Sequence, residues 1–372
     1  MKLLIVSTAP LIYKDNSCYA YSPYVNELIL LEKFSKKIFF CCPVWDKDKK
    51  LLISKIPFDI DKHFKLIDSN ISSFPNFVKA IFCSIYNFFI LFKAMETADH
   101  IHLRCPGNIG LMGCLVQIFF PKKIKSAKYA GNWDPKSKQP WTYKLQKYIL
   151  SNTFLTRNMQ VLVYGEWENQ SRNIKSFFTA TYSDSERKEI QKENFQSKIR
   201  FLFVGSLVSG KNPLYAIQLI EELIKNDKKV ILNIYGEGNQ KNILENYIDK
   251  NQLGNHIFLL GNQDKETIKK DYQESHFVIL PSQSEGWPKA IAEGMFWGCV
   301  PIVTGVSCIP FMLDYGKRGV LLAIDLKKDI VQVEKLILHE NVFFEKSKLA
   351  QQWSQKYTTD FFESEIKMIL TK

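Results

Sequence analysis

The stretch that decides the fold of this chain is Phe277-Val278-Ile279-Leu280-Pro281-Ser282-Gln283-Ser284-Glu285-Gly286-Trp287-Pro288-Lys289-Ala290-Ile291-Ala292-Glu293-Gly294-Met295. Its apolar start predicts a buried strand. Pro288 predicts the first residue of a helix, where the missing N–H group of proline costs nothing. Gly286 lets a ligand approach the backbone beside a helix N-terminus that attracts anions. With Glu285 in the loop and Glu293 in the helix, the stretch is either an ordinary strand–loop–helix unit or a ligand site.

The same alternation of strand and helix extends in both directions from this stretch. Strands are predicted at 200–204, 230–235, 256–260, 277–280, 299–303 and 320–324, and most end in glycine or serine. Earlier apolar segments at 2–7, 36–42, 100–103, 127–130 and 160–164 predict a first series, and 7–22 is predicted as a loop. Such a rhythm predicts parallel, doubly wound α/β sheets that bind ligands at the carboxyl ends of their strands.

The chain length of 372 residues indicates two domains. We predict a first Rossmann-like domain over 1–185, a polar linker over 186–197 and a second Rossmann-like domain over 198–355. The C-terminal helix, 356–372, is predicted to pack back on the first domain. Two such domains are expected to face each other across a cleft lined by the loops of both.

The net charge of +12, from 50 Lys and Arg against 38 Asp and Glu, favours anionic partners. No basic arm or zinc-finger spacing accompanies it, so we do not expect nucleic acid as a partner. Residues 121–150 hold eight lysines and one acid among aromatic residues. This stretch is either a solvated face or a surface for an anionic membrane or a phosphorylated acceptor.

Cysteine usage and hydropathy bear on the location of the protein. The eight cysteines form no C-x-x-C pair, which indicates free thiols in a reducing compartment and hence a cytoplasmic protein. The most apolar helical segment, 80–92, is shorter than the roughly 20 residues that span a bilayer. We therefore expect a soluble protein, or one attached peripherally to the inner face of the cell membrane.

A second motif, Gly205-Ser206-Leu207-Val208-Ser209-Gly210-Lys211-Asn212, nearly matches a nucleoside-triphosphatase phosphate loop. Asn212 replaces the hydroxyl that would hold Mg²⁺, and no strand ends in an aspartate for the second magnesium contact. These departures argue against such an enzyme. A glycine turn with Lys211 beside a helix N-terminus remains, and it suits a diphosphate without a metal.

Taken together, residues 198–330 resemble the second domain of retaining glycosyltransferases of the GT-B fold, in family 4. This family carries G-[RS]-L-x-x-x-K, here Gly205 to Lys211, and E-x7-E, here Glu285 to Glu293. Glycine turns follow its second and third strands, as Gly236-Glu237-Gly238 and Gly261-Asn262 do here. The first domain resembles the family only in outline.

The resemblance implies a role for each matching residue. Lys211 contacts the diphosphate of the donor, Glu285 the hydroxyls of the donor sugar, and Glu293 the ribose. The implied donor-binding residues are Gly205, Ser206, Lys211, Gly236, Gly238, Asn262, Gln263, Glu285, Gly286, Trp287, Pro288, Lys289 and Glu293. The sequence departs from the family at Ser206, where many relatives have arginine, and at Gly294, where alanine is commoner.

The implied reaction moves a sugar from a UDP- or GDP-sugar, with retention, to a glycan or polyprenyl-linked saccharide in bacterial surface polysaccharide synthesis. No cofactor and no metal are expected, because Lys211 and the helix dipole stabilise the leaving diphosphate. Two alternatives stay open: a nucleotide-sugar epimerase or phosphorylase of the same fold, and a catalytically silent sugar- or lipid-binding relative. A phosphorylase needs a lysine-bound pyridoxal phosphate, for which no matching site is seen.

Three candidate catalytic residues lie in the first domain and are inferred from the residues themselves. His102 ends a strand and is either functional or a core histidine. Arg104 is too basic to act as a general base, but it can bind an anionic acceptor or a donor phosphate. Asp134 follows the next strand, and Trp133 beside it is expected to provide a stacking platform for the acceptor. With Lys211 and Glu285, these residues complete the predicted catalytic set.

Overall fold

The computed structural model describes residues 1–15, 17–46, 52–68 and 74–371, with the backbone alone for 74–81. The chain divides into two units, one made of Met1–Phe177 and Glu363–Lys372 and the other of Phe178–Phe362. Each unit is a parallel α/β layer structure with its own sheet.

The first unit is built on a ten-stranded sheet in the described part of the chain. Its strands are β1 (Lys2–Val6), β2 (Leu11–Lys14), β3 (Ser17–Tyr21), β4 (Lys37–Trp45), β5 (Ile53–Lys55), β6 (Lys62–Leu66), β7 (His100–Cys105), β8 (Ile124–Tyr129), β9 (Met159–Tyr164) and β10 (Ile174–Phe177). The order is β10-β9-β8-β7-β1-β4-β2-β3-β5, with β6 also paired to β4. The central strands are parallel, so their carboxyl ends meet at one edge.

The prediction of a loop over 7–22 is wrong for much of its length, because β2 and β3 pair there as an antiparallel hairpin. Leu11, Ile12 and Ala20 are buried, and this burial stabilises strands in a stretch whose alternation of apolar and polar residues is weak. Asn16 lies outside the described residues.

Helices pack against the first sheet. They are α1 (Ser22–Glu32), α2 (Phe74–Thr97), α3 (Asn108–Val116) and α4 (Trp141–Ser151). In α2, Leu91, Ala94 and Met95 are fully buried against the core, which also holds Ile101 and Leu103 of β7. In the described residues, no helix has the length and hydropathy needed to cross a lipid bilayer.

The second unit has a six-stranded sheet of β11 (Ile199–Val204), β12 (Val230–Tyr235), β13 (Ile257–Gly261), β14 (Phe277–Leu280), β15 (Val300–Thr304) and β16 (Val320–Leu322). Its helices are α5 (Pro213–Lys225), α6 (Lys241–Lys250), α7 (Lys265–Glu274), α8 (Lys289–Phe296), α9 (Ile309–Met312), α10 (Leu326–Leu338), α11 (Glu340–Ser354) and α12 (Thr359–Leu370), of which α12 continues into the first unit.

The strand order of the second sheet is β13-β12-β11-β14-β15-β16, and every pairing is parallel. Counted within the unit, this order is 3-2-1-4-5-6, that of the doubly wound dinucleotide-binding sheet. The order reverses between β11 and β14. Ligands bind such sheets at the carboxyl ends of the strands beside this switch point, so the loops after β11 and β14 form the candidate site.

The segment predicted as a linker, 186–197, lies inside the second unit. Its buried Lys192 donates from Nζ to the carbonyl oxygens of Tyr272 and Gln273, at 2.7 and 2.9 Å. The ring of Phe195 packs 4.7 Å from that of Phe343. These contacts hold a largely polar segment against the core of the second unit.

The last residues, Glu363–Lys372, belong to the first unit. Glu363 pairs with Lys33 at 2.7 Å, and Glu365 forms an ion pair with Lys175. All eight cysteines are free; seven are buried and Cys18 is half-buried.

Candidate active site

The loops that leave β11, β12 and β13 are joined by backbone hydrogen bonds into one rim. Gly205 N–H donates to Tyr235 O at 2.9 Å, and Leu207 N–H donates to Glu237 O at 3.0 Å. Gly236 N–H in turn donates to Gly261 O at 2.8 Å. The glycine motifs predicted from sequence therefore lie together at the carboxyl edge of the second sheet.

Close packing explains the glycine at 236. Its φ is +142°, and an added Cβ would lie 2.0 Å from Gly205 O. At Gly238 an added Cβ would lie 2.3 Å from Leu207 O. The loop after β12 supports the phosphate-type loop after β11 by direct backbone contact, and any side chain at these positions would push the two apart.

Lys211 and Glu285 meet at the switch point. Lys211 ends a short 3-10 turn, Ser209–Lys211, and Asn212 then takes a left-handed conformation (φ 52°) so that Pro213 can begin α5. Lys211 Nζ donates to Glu285 Oε1 at 2.5 Å. The side chain of Glu285 is 6% exposed and that of Lys211 is 28% exposed, so the cation is the more accessible partner.

The loop after β14 is fixed to its neighbours on both sides. Gln283 N–H donates to Gly210 O at 2.9 Å, which joins it to the loop that carries Lys211. The Gly286 carbonyl accepts from Cys308 Sγ at 3.1 Å and from Ser307 Oγ at 3.3 Å. Ser307 and Cys308 follow β15 and were not predicted from sequence, where no motif distinguishes them. Their contacts orient the peptide units next to Glu285.

Helix α8 begins one residue later than predicted. Lys289 is its first residue, and Pro288 is the N-cap with ψ 88°, which is not a helical value. The side chain of Trp287 is buried, and its ring stacks 6.1 Å from that of Trp353. The loop therefore offers backbone groups to a ligand at 286–289, beside the N–H groups that the first turn of a helix leaves without intrahelical partners.

Glu293 lies on α8 and does not touch Lys211 or Glu285 in the structure. Its Oε1 accepts from Thr181 Oγ1 at 2.7 Å and its Oε2 from Tyr272 OH at 3.4 Å. Burial raises the pKa of Glu293, although the hydrogen bond from Thr181 and the charge of Lys289 act in the opposite direction. Neither Thr181 nor Tyr272 stands in a motif, so neither could be predicted from sequence.

The glycine after Glu293 has a packing reason. A Cβ at Gly294 would lie 2.8 Å from Val278 Cγ1 and 3.3 Å from the ring of Tyr272. The departure from alanine at this position therefore follows from the close approach of α8 to β14. The remaining predicted donor residues, Ser206, Asn262 and Gln263, are exposed on the rim, where Gln263 Nε2 donates to Leu260 O at 3.0 Å.

In the first unit, His102 is buried in the sheet. Its Nδ1 lies 2.8 Å from Ser126 Oγ, which is also 2.8 Å from His100 Nε2. Burial, reinforced by the charge of Arg104, lowers the pKa of His102 to about 3. The structure thus matches the interpretation of His102 as a core histidine and gives no support to a catalytic role.

Arg104 belongs to a buried charge cluster with two residues that no sequence motif marks. Glu27 of α1 accepts from Arg104 Nη1 through Oε2 and from Lys128 Nζ through Oε1, both at 2.5 Å. The Arg104 guanidinium also lies 3.8 Å from the centre of the Tyr24 ring. Burial acts to raise the pKa of Glu27, but the charges of Lys128 and Arg104 outweigh it and hold this pKa at about 2.

This cluster lies near the carboxyl ends of β7 and β8, where Arg104 is paired in register with Lys128. It carries one net positive charge. The pairing of Arg104 with Glu27 could not be predicted from sequence, because the two residues are 77 positions apart in the chain.

Asp134 is half-buried and caps its own loop. Its Oδ1 accepts from Lys136 N–H at 2.8 Å, and its carbonyl accepts from Lys147 Nζ at 3.1 Å. The expectation of Trp133 as an exposed stacking platform is wrong. Its ring is 6% exposed and packs edge-on against Tyr129, 4.9 Å away, because the apolar surface of the indole is better buried. No hydrogen bond joins His102, Arg104 and Asp134 in the described residues.

Solved structures establish the fold of the chain. The lipopolysaccharide outer core galactosyltransferase WaaB matches with a TM-score of 0.69 at 15% identity, covering 100% of this chain and 99% of that one. Anabaena HepE, in complex with UDP and glucose, matches with a TM-score of 0.68 at 11% identity over 100% of this chain and 99% of that one. The chain has the GT-B fold, with two Rossmann-like α/β units.

Sequence relatives match over shorter stretches. An uncharacterized glycosyltransferase of Methanocaldococcus jannaschii is 27% identical over 158 residues, 42% of this chain and 43% of the relative. The UDP-Gal:alpha-D-GlcNAc-diphosphoundecaprenol alpha-1,3-galactosyltransferase of Escherichia coli is 33% identical over 110 residues, 29% of this chain and 28% of the relative. The chain spans less than half the length of these curated relatives. Residues 184–358, which include Lys211, Glu285 and Glu293, match the family model of glycosyl transferases group 1.

Proposed function

We propose that the protein is a retaining glycosyltransferase of family 4 that uses a UDP- or GDP-sugar. The observation that carries the proposal is the pairing of Lys211 with Glu285 at the switch point, beside the first turn of α8. A cation and a helix N-terminus at this edge suit a diphosphate. A carboxylate next to them suits the hydroxyls of a sugar.

In the proposed reaction, the bond between the anomeric carbon and the diphosphate breaks, and a bond to the acceptor oxygen forms on the same face. The acceptor proton passes to the leaving phosphate. Lys211 and the first turn of α8 stabilise the negative charge that develops on that phosphate, so the reaction is proposed to need no metal and no other cofactor. Glu285 exchanges its contact with Lys211 for the hydroxyls of the donor sugar.

The acceptor is proposed to be a glycan or a polyprenyl-linked saccharide of a bacterial surface polysaccharide. The name of the Escherichia coli relative specifies a GlcNAc-diphosphoundecaprenol acceptor, which supports a polyprenyl-linked acceptor for this protein. The structure of HepE in complex with UDP supports a UDP-sugar donor. We also propose that the protein works in the cytoplasm, at the inner face of the cell membrane.

A panel of UDP- and GDP-sugars tests the function and its independence of metal together. We expect release of UDP or GDP from one donor at the same rate with and without EDTA. Strict dependence on a divalent cation would contradict the metal-free mechanism. Interconversion of the sugar without loss of the nucleotide would identify an epimerase, and binding of donors without turnover would identify a silent relative.

The ribose role of Glu293 has its own test. Replacement of Glu293 by alanine is expected to weaken UDP or GDP binding roughly tenfold in calorimetry, the effect of losing a charge-assisted hydrogen bond of about 1.5 kcal/mol. Glu222→Ala, on the outer face of α5, provides the control. Equal affinity of the Glu293 variant and the wild type would remove the ribose role.

The contact with the membrane is proposed to involve α2. Phe82, Ile85, Tyr86 and Phe89 recur at helical spacing on one face and are 48–70% exposed. The exposed Phe119 continues this apolar face, 6.1 Å from the rings of Phe88 and Phe92. Exposed lysines, Lys93 and Lys122, accompany it. An apolar face with cations beside it matches an anionic lipid surface.

Flotation with anionic vesicles checks this contact. We expect the protein to float with the vesicles and the bound fraction to fall as salt is added. Phe89→Asp should reduce the bound fraction severalfold, because a charge at this position opposes insertion. Leu338→Asp, at an equally exposed position in the second unit, should not. Equal flotation of the two variants would exclude α2 as the contact.

A further inference from the structure

The first unit carries an open groove of about 1000 Å³ at the amino ends of its strands. Ile124 and Lys125 begin β8, Met159 and Gln160 begin β9, and Asn173 directly precedes β10. These strands are parallel and run away from the groove. Their carboxyl ends, with the charge cluster of Arg104, Glu27 and Lys128, therefore lie at the opposite edge of the sheet. The groove is therefore separate from this charge cluster and from the site at the switch point of the second sheet, and it shares Lys122 with the proposed membrane contact.

The lining of the groove is positively charged. Three of the lining residues are the cations Lys122, Arg157 and Arg172, whereas the buried Lys125 donates from Nζ to the carbonyl oxygens of Gln117 and Phe120, and no aspartate or glutamate is among the described lining residues. Lys122, Arg157 and Arg172 are exposed, and none of them forms an ion pair with a carboxylate in the part of the chain that the structure describes. Cations gathered in one concavity without counter-charges create a positive potential that attracts anions.

The lining also offers groups suited to a chain with hydroxyls. Phe154 is 70% exposed, and the Arg157 guanidinium lies 4.7 Å from the centre of its ring. The amide of the exposed Asn158, whose Nδ2 donates to Pro121 O at 3.0 Å, and the hydroxyl of Thr153 complete the surface. Two arginine forks suit phosphate groups, because guanidinium binds phosphate oxygens in pairs. The volume is at the upper end for a small-molecule site, and the groove is open, so an extended ligand fits it better than a compact one.

We propose that this groove is a second binding site, for a phosphate-bearing chain. In the proposed transferase it would hold a distal segment of the acceptor, at the edge of the sheet opposite the first unit's carboxyl ends. The assignment of the chain as acceptor rests on the proposed function. The binding of a phosphate chain by Arg157 and Arg172 does not.

Fluorescence anisotropy with labelled inorganic polyphosphate tests the groove in the full-length protein. We expect saturable binding that weakens with salt, and the R157E/R172E double variant to bind at least about tenfold more weakly. The K270E/K348E double variant changes the net charge by the same amount, at exposed positions in the second unit, and should bind like the wild type. Circular dichroism and calorimetric binding of UDP or GDP, unchanged in R157E/R172E, show that the variant is folded.

Three results would overturn the proposal, and a fourth would separate it from the proposed function. Equal loss in both double variants would mean that polyphosphate responds only to net charge. Orthophosphate binding as tightly as the polymer would reduce the groove to a single-anion site. Loss of anionic-vesicle binding without loss of polyphosphate binding would make these arginines a membrane contact. If the wild type fails to bind UDP and GDP but binds polyphosphate at Arg157 and Arg172, the transferase function fails and the groove remains.

Discussion

Replacement of Lys211 by methionine is expected to lower kcat/KM for the nucleotide-sugar donor by about 10²- to 10³-fold. This is the usual effect of removing one group that stabilises charge in the transition state. Methionine keeps most of the aliphatic stem and removes the ammonium group. Lys211 is the cation in direct contact with Glu285 at the switch point, where the donor diphosphate is proposed to bind.

The measurement is the rate of nucleotide release with the donor found in the panel. Lys225→Met is the matched control, because Lys225 also pairs with glutamates, Glu221 and Glu222 at 2.9 and 2.8 Å, but on an exposed part of α5. We expect its activity to equal that of the wild type. A Lys211→Met enzyme within threefold of the wild type would show that the leaving group is stabilised elsewhere. Thermal unfolding of both variants separates a loss of activity from a loss of structure.

Replacement of Glu27 by glutamine is expected to reduce the free energy of unfolding by about 3–5 kcal/mol, the effect of removing one partner from a buried ion pair. The side chain of Lys128 is 3% exposed and that of Arg104 is 18% exposed. Without Glu27 their two positive charges would stand close together in the interior without the carboxylate that bridges them. Urea unfolding at neutral pH measures the effect. Glu32→Gln, on the same helix, is the control and should change the stability by less than about 0.5 kcal/mol.

The same variant makes a prediction about pH. The folded-state pKa of Glu27, about 2, lies below the value of about 4.3 for an unfolded glutamate. Its ionisation therefore stabilises the fold above about pH 4, and this contribution is lost as the pH falls from about 4 to 2. The stability difference between wild type and Glu27→Gln should shrink over this range. A difference that is constant from pH 7 to pH 3 would contradict the ion-pair explanation.

The sequence by itself predicted the repeating α/β pattern, the second sheet and the loops that carry Gly205, Lys211, Glu285 and Glu293. It could do so because these features are local. Buried parallel strands are short apolar runs, and a glycine turn or a proline at a helix start is recognised from a few adjacent residues. The motif order along the chain then placed both loops at the carboxyl edge of one sheet, as the strand order confirms.

The tertiary structure decided which side chains are paired and which are buried. No motif predicts that Glu27 pairs with both Arg104 and Lys128. The burial of Trp133 is likewise not predicted by its neighbours in the chain. The same holds for the hydrogen bonds of Thr181 and Tyr272 to Glu293. Each of these contacts joins segments that are distant in the chain, except for the burial of Trp133, which depends on the core around Tyr129. The periodicity of apolar residues indicates whether a segment is a buried strand or helix. Which side chains pair depends instead on which segments the order of the strands brings into contact. The stretch 277–295 therefore predicted a ligand site from local sequence, and the strand order placed Lys211 beside Glu285, the first glutamate of that stretch.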